Sequence, residues 1–337
     1  MKRLPLFLPL ALTCGVSSCI FESERACPDR LTFTIVSNWD SENIELQDDA
    51  AYEEPEGMAY LFFPDDGGKV WRFDFPGREA GKASLSVGDY KMLSFNDDTQ
   101  SILFRGEAQY DTFEAYTPEK ELLSGIPSSL RGKELPPGND ERVVGSPDMM
   151  WGCSCCRFSL GYDGLSYVPS SPMKTGNGNV FSPDFILTVN QRQLTARYTY
   201  RIENVENLSG VKSMSAAISG MAGSMMLASG RKCDYPSTIP VMASIIDSST
   251  IGDGFCTFGI PTDPTSANIL SLFIVIKDGR RFCYKFDVTD QVRQAPDPMD
   301  VEIVLKGLKL EIPENESGSG FDVIVDGWET SVVNITV

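Results

Sequence analysis

The stretch MAYLFFPDDGGKVWRFDF, from Met58 to Phe75, decides how the rest of the chain reads. Two apolar runs, Met58–Phe63 and Val70–Phe75, flank Pro64, Asp65, Asp66, Gly67 and Gly68. Proline presets one turn torsion, aspartate bonds its own backbone, and glycine accepts positive φ, so the five residues read as a hairpin loop. In the second run Trp71, Phe73 and Phe75 share a face opposite Arg72 and Asp74, the period of two that a half-buried strand requires.

Outward from this hairpin the same period recurs. Leu31, Phe33 and Ile35 alternate with Thr32 and Thr34; Ala83–Val87 and Asp89–Phe95 follow, broken at Gly88, then Ser101–Arg105 and Tyr110–Tyr116. One short helix is expected, with Thr117 as cap, Pro118 in its first turn, Glu119 favouring the dipole and Gly125 as its end. Residues 131–148 and 161–180 are rich in Gly, Pro, Ser and Asn and read as loops. A second series starts at Phe185–Asn190. Leu194–Glu203 places Tyr198, Tyr200 and Ile202 opposite Arg197, Thr199 and Arg201. Val211–Ser219, Gly254–Ile260, Leu270–Lys277 and Arg281–Val288 continue it, the last two joined across Asp278 and Gly279; Val301–Leu305, Leu308–Ile312, Phe321–Val325 and Ser331–Val337 complete the chain. About sixteen short strands with very little helix predict an all-β fold of two tandem antiparallel β-sandwich domains. The division falls in the Gly/Asn/Pro-rich stretch from Ser170 to Pro183, giving an N-terminal sandwich at 31–178 and a C-terminal one at 179–337.

Charge and composition narrow the function. The chain carries 29 Lys and Arg against 47 Asp and Glu, a net charge of −18. Such acidity repels phosphate backbones and excludes nucleic acid as an expected partner. Histidine is absent, which removes Ser-His-Asp and Cys-His catalysis and any His-containing metal site.

The N-terminus reads as a secretory signal. Lys2 and Arg3 form a basic region, Leu4 to Leu12 an apolar one, and small residues precede a cysteine. Val16, Ser17, Ser18 and Cys19 resemble the bacterial lipobox; Cys14 fits it less well, because Ala11 and Leu12 reverse the aliphatic and small positions. The resemblance implies a signal peptide at 1–18, cleavage before Cys19 and acylation (palmitate among the chains) on that residue. At about 0.8 kcal/mol per buried methylene, two or three chains hold a protein on a membrane. Losing Lys2 and Arg3 takes the net charge to −20, so attachment is expected through the lipid alone. No later stretch reaches the roughly 18 to 20 apolar residues of a spanning helix. Residues 19–30 form a charged, lipid-anchored tether, and Glu22, Ser23 and Glu24 partly match the surface-export signal of Bacteroidetes lipoproteins.

Other constellations are structural. Cys153, Cys155 and Cys156 lack the paired spacing of a zinc site and alternate across a strand, which reads as disulfides or buried thiols alongside Cys27, Cys233, Cys256 and Cys283. Cys256 shares a face with Phe258 and Ile260 and is expected inside; Cys283 sits opposite Phe282, Tyr284 and Phe286 and is expected to look outward. Gly220 to Ser224 lacks the spacing of a phosphate loop and suits a tight bend. Asp65, Asp66, Asp97 and Asp98 suit turns, and Met214, Met221, Met225 and Met226 suit core filling. The expectation is a non-enzyme with no cofactor and no metal.

Five segments then carry a family likeness. Glu56 to Pro64 and Leu85 to Asn96 are similar to the N-terminal module of Bacteroidetes fimbrillin-anchor lipoproteins; Tyr200 to Ser209, Ala217 to Ser224 and Phe321 to Trp328 resemble the C-terminal module. The resemblance implies two transthyretin-like sandwiches at the outer membrane, lipid-anchored and exposed at the cell surface, acting as a fimbrial anchor or accessory subunit that binds a pilin. Fimbriae of this group polymerise by strand donation, a form of β-augmentation. The alternative is a surface glycan-binding lipoprotein, for which Trp39, Trp151 and Trp328 are the aromatic candidates, although each lies in or beside a strand pattern and suits a core.

Overall fold

The computed structural model describes residues 30–39, 55–134, 136, 140–168, 179–311 and 327–333. It is all-β. Among the described residues the one α-helix is Thr289–Arg293, and no helix is long and apolar enough to cross a membrane.

The hairpin forms as its residues require. Gly57–Pro64 pairs antiparallel with Trp71–Pro76, in a register that sets Phe62 opposite Trp71 and Met58 opposite Phe75. The turn closes through the Gly67 amide, which donates to the Pro64 carbonyl at 3.1 Å with φ at 79°, and through the Gly68 amide, which donates to Asp66 Oδ1 at 2.9 Å. Along Trp71–Pro76 burial alternates, with Arg72 and Asp74 outside in a 2.7 Å ion pair. This hairpin is one edge of a seven-stranded sheet that continues through Gly88–Asn96, Trp151–Gly161, Gly164–Tyr167 and Val180–Ser182, with Arg192–Gln193 on the far end of Trp151–Gly161. A three-stranded sheet lies across one face of it: Arg30–Asn38 in the middle, Lys82–Ser86 antiparallel on one side, Ile186–Asn190 parallel on the other. Phe33, Ile35, Leu85 and Leu187 from the small sheet meet Tyr60, Phe62, Tyr90 and Phe158 from the large one, and their rings pack edge-on or tilted.

The second sandwich repeats the plan. Ser244–Asp247, Thr250–Thr257, Ala196–Glu203 and Asp300–Lys306 make one sheet; Glu329–Val332, Arg281–Asp287, Ile269–Ile276, Val211–Ala222, Pro236–Val241 and Arg142–Val143 make the other. In Ala196–Glu203, Ala196, Tyr198, Tyr200 and Ile202 point into the core while Arg197, Thr199 and Arg201 face out, as the alternation predicts. The Tyr200 hydroxyl donates to the Met242 carbonyl at 2.6 Å, satisfying a buried donor. Pairing is antiparallel in the main, with parallel contacts wherever a strand arrives by a long crossover.

The sandwiches do not simply follow one another. Strands on both sides of 169–178 belong to the first: Gly164–Tyr167 and Val180–Ser182 pair with each other, and Ile186–Asn190 completes the small sheet. Buried Gln191 secures this return by donating its amide to the Asn38 carbonyl at 2.9 Å and its Nε2 to Tyr60 Oη at 3.1 Å. The change of sandwich therefore falls between Gln193 and Ala196, beyond the expected 178/179 division.

The described residues between Asp97 and Asp148 form a strap that covers the second face of the seven-stranded sheet with Ile102 and Phe113 and runs on across the second sandwich. Leu103–Arg105 and Glu114–Tyr116 form a small sheet with Ser224–Met226, and Arg142–Val143 joins the six-stranded sheet beside Pro236–Val241. The expected helix at 117–125 is absent for this reason. Glu119 forms a bridge with Val144, the Lys120 amide donates to the Val143 carbonyl at 3.2 Å, and only the four-residue turns closed by the Ser124 and Ile126 amides remain. Residues 131–148 and 161–180, read as loops, contribute the short strands Arg142–Val143 and Gly164–Tyr167, too brief for a period to register. Tyr110–Tyr116 is a 3₁₀ turn, Tyr110–Thr112, followed by a strand. The expected strand Phe321–Val325 lies outside the described residues.

Candidate functional site

The strap and the second sandwich enclose a groove of about 870 Å³. Its floor follows from strand register. Arg105 stands directly opposite Glu114, and Met226 stands opposite Glu114 from the other side. The planar guanidinium meets the carboxylate as two forks, Nε to Oε2 at 2.6 Å and Nη2 to Oε1 at 2.8 Å. Glu114 is only 8% exposed. The Arg105 hydrogen bonds hold its carboxyl below the usual range, against the opposing effect of burial, with further help from the Ser224 hydroxyl. Arg105 also lies 4.8 Å over the Tyr116 ring.

One wall comes from a tight return after Ser224–Met226. Gly230 at φ 69° lets the chain turn back, its amide donating to the Met226 carbonyl at 2.8 Å, while the Met226 amide donates to the Arg231 carbonyl at 2.8 Å. Arg231 then reaches Asp234 through Nη2 at 3.0 and 2.8 Å. The opposite wall carries Arg142, paired with Glu119 at 3.0 Å. Glu141 accepts from the Gly220 amide and the Thr238 hydroxyl, both at 3.0 Å. Thr117 also lines the groove; it is 2% exposed, and its hydroxyl has no hydrogen-bond partner. Tyr235 stands at the rim, 79% exposed. The groove thus pairs each of its three arginines with a carboxylate; Lys232 lines it as well, its ammonium held below the usual range by burial.

Of the residues singled out in the sequence, Thr117, Ser224, Met226 and Cys233 line the groove, and the others lie elsewhere or outside the described residues. Cys19, Cys14, Cys27 and Glu22 to Glu24 lie outside the described residues, as do the side chains of Cys155 and Cys156. Cys153 is buried in the first sandwich. Cys256 is half-buried, and burial pushes its thiol up to about 11. Cys283 does leave the inner face of its sheet, but it is 0% exposed, because the strap covers it. Leu122, Leu123 and Ile126 pack there with Phe273 and Trp328, and burial pushes the Cys283 thiol up to about 11. Trp151 is buried and meets half-buried Trp39 at 5.8 Å; Trp328 packs on Phe273 at 5.6 Å. These tryptophans are core residues, as their patterns suggested. Asp66 caps its turn, and Asp98 accepts the Glu56 amide at 2.7 Å. Gly220 is a bulge inside Val211–Ala222 at φ 74°, where a Cβ would come within 2.7 Å of the Ala267 carbonyl oxygen. Met221 and Met225 fill cores, whereas Met226 lines the groove.

Sequence reasoning missed the groove because its parts are far apart along the chain. The one local signal is Glu114, a carboxylate set between Phe113 and Ala115 in an aromatic-rich run.

A crystal structure of a "putative adhesin" from Bacteroides ovatus ATCC 8483 shares the fold: TM-score 0.56, 22% identity, covering 84% of this chain and 93% of that one. The fimbrial anchor protein Mfa2 from Porphyromonas gingivalis aligns at TM-score 0.47 and 14% identity, over 82% of this chain and 91% of that one. In sequence, the "Putative fimbrium anchoring subunit Fim4B" of Bacteroides ovatus is 32% identical over 112 residues, which is 32% of this chain and 29% of that relative. The aligned part thus spans under a third of the relative's length. A family model described as "Domain of unknown function (DUF5119)" matches residues 37–242, from the first strand through the strap and into the second sandwich. With well over half of its length inside that match, the chain belongs to the DUF5119 family.

Proposed function

We propose that this chain is a lipid-anchored outer-membrane subunit of a fimbrial system, an anchor or accessory subunit that binds a pilin and tethers or ends the fibre at the cell surface. Its partial sequence likeness to a protein named as a fimbrium anchoring subunit supports the assignment, as does the lipobox-like Val16 to Cys19. The observation that carries the reading is the place of the first strand. Arg30–Asn38 is the middle strand of its sheet, hydrogen-bonded on both sides, and begins at an arginine. In strand-donating fibres a subunit must lose a strand so that a neighbour's strand can fill the groove. Cutting after Arg25 or Arg30 severs the lipid yet leaves residues 31–38 in place. Arg72, the next arginine, is exposed, but its backbone is paired with Leu61. The chain therefore stays uncut, keeps its lipid and does not extend a shaft. The test is the N-terminus of protein recovered from assembled fimbriae. The expected product starts at an acylated Cys19, carries palmitate label, and is lost from membranes in Cys19→Ala. A subunit repeated along the shaft with a mature start well beyond Val36 would refute the reading.

A further inference from the structure

We propose that the groove between the strap and the second sandwich is a binding site for a neutral saccharide, a ligand class that goes beyond the anchoring role. Charge argues first. The lining carries four cations, Arg105, Arg142, Arg231 and Lys232, against four carboxylates, Glu114, Asp140, Glu141 and Asp234, and each arginine is paired, so the groove presents no net charge to an anionic ligand. What the pairs offer instead is adjacency. Guanidinium N–H groups and carboxylate lone pairs lie side by side, and Arg105 spends only Nε and Nη2 on its partner, keeping further donors. A vicinal diol, which donates and accepts from neighbouring oxygens, matches that arrangement; a hydrocarbon or a lone carboxylate does not.

Two further features point the same way. Tyr116 has Arg105 over one of its faces, whereas Tyr235, 79% exposed at the rim, offers an open ring face that no core contact explains. The apolar C–H face of a pyranose stacks on such rings while its hydroxyls reach polar neighbours. Thr117 lines the same groove, 2% exposed, with a hydroxyl that no described group satisfies. A buried hydroxyl left unpaired costs free energy that a ligand oxygen would recover. The volume of about 870 Å³ lies within the roughly 300–1,000 Å³ of ligand sites and suits two or three sugar rings.

Saturation-transfer NMR with chitotriose, mannotriose, xylotriose, lactose and sialyllactose tests the assignment on the mature chain. The expected result is transfer to at least one neutral sugar. Tyr235→Ala, whose side chain is solvent-facing, should weaken that binding about tenfold while leaving the melting curve unchanged. Glu114→Gln should weaken it as well, by removing the acceptor and freeing Arg105. Transfer to none of the sugars would overturn the proposal. So would transfer to sialyllactose alone, which would make this an anion site, or neutral binding indifferent to both substitutions, which would place the sugar elsewhere. None of these outcomes depends on whether the chain anchors a fimbria.

Discussion

Gly57–Pro64 and Ala196–Glu203 are strands of equal length near the middle of their sandwiches, yet they meet solvent differently. In Gly57–Pro64 six consecutive residues, Met58 to Phe63, are buried; in Ala196–Glu203 burial alternates. The cause is the strap. The seven-stranded sheet has the three-stranded sheet on one face and, on the other, Ile102, Phe104, Phe113 and Met225 from the strap region and the second sandwich. The sheet of Ala196–Glu203 has a core on one side only, and Ser244–Asp247 at its edge is exposed throughout. A strand buried on both faces loses the period of two and reads as a plain apolar run; a strand with one wet face keeps it.

That difference can be broken or sharpened by substitution. The largest effects belong to neighbours in the doubly buried strand. Phe62→Ala should cost about 3–5 kcal/mol and Leu61→Ala about 2–5, although the two side chains point to opposite faces. Chemical denaturation measures both, and a near-neutral Leu61→Ala would show that the second face is not packed. An intermediate effect is expected where strap and second sandwich meet. Glu114→Gln should destabilise by about 2 kcal/mol at neutral pH, because Arg105 loses a charged partner. The folded carboxyl titrates below its ordinary 4.5, so this stabilisation is fully present above that value and fades as pH falls through the folded one. Melting curves of wild type and variant should converge in acid; a constant gap down to the acid limit would contradict the pairing. The smallest effect belongs to the wet face. Arg201→Ala should change stability by no more than about 0.5 kcal/mol, since its ion pair with Glu302 is exposed on both sides.

The same contrast explains what could be read in advance. Trp71, Phe73 and Phe75 announced their strand, and Tyr198, Tyr200 and Ile202 theirs, because alternation is written in consecutive residues. Thr117 to Gly125 carried helix signals that are also local, but Val144 claims the backbone at Glu119 first. Cys283 turns away from Phe282, Tyr284 and Phe286 as the alternation predicts but is buried instead of exposed, because Leu122, Leu123 and Ile126, more than a hundred residues earlier, cover it. The groove fails for the same reason: Arg105 and Glu114 meet Ser224 and Arg231 only once the strap is laid down. Contacts of that separation leave no mark in any short window of sequence.

The strap also sets a timetable. A chain that emerges from its N-terminus presents Leu122, Leu123 and Ile126 well before Ile269–Ile276 and Arg281–Asp287, the strands they will cover, have been delivered. The first strand waits too, since Arg30–Asn38 gains its parallel neighbour only with Ile186–Asn190. Neither half can reach its native surface alone, so maturation is slow and late, dominated by long loop closures. During that interval the apolar side chains of the strap stand bare, the state in which such a chain pairs most readily with its neighbours.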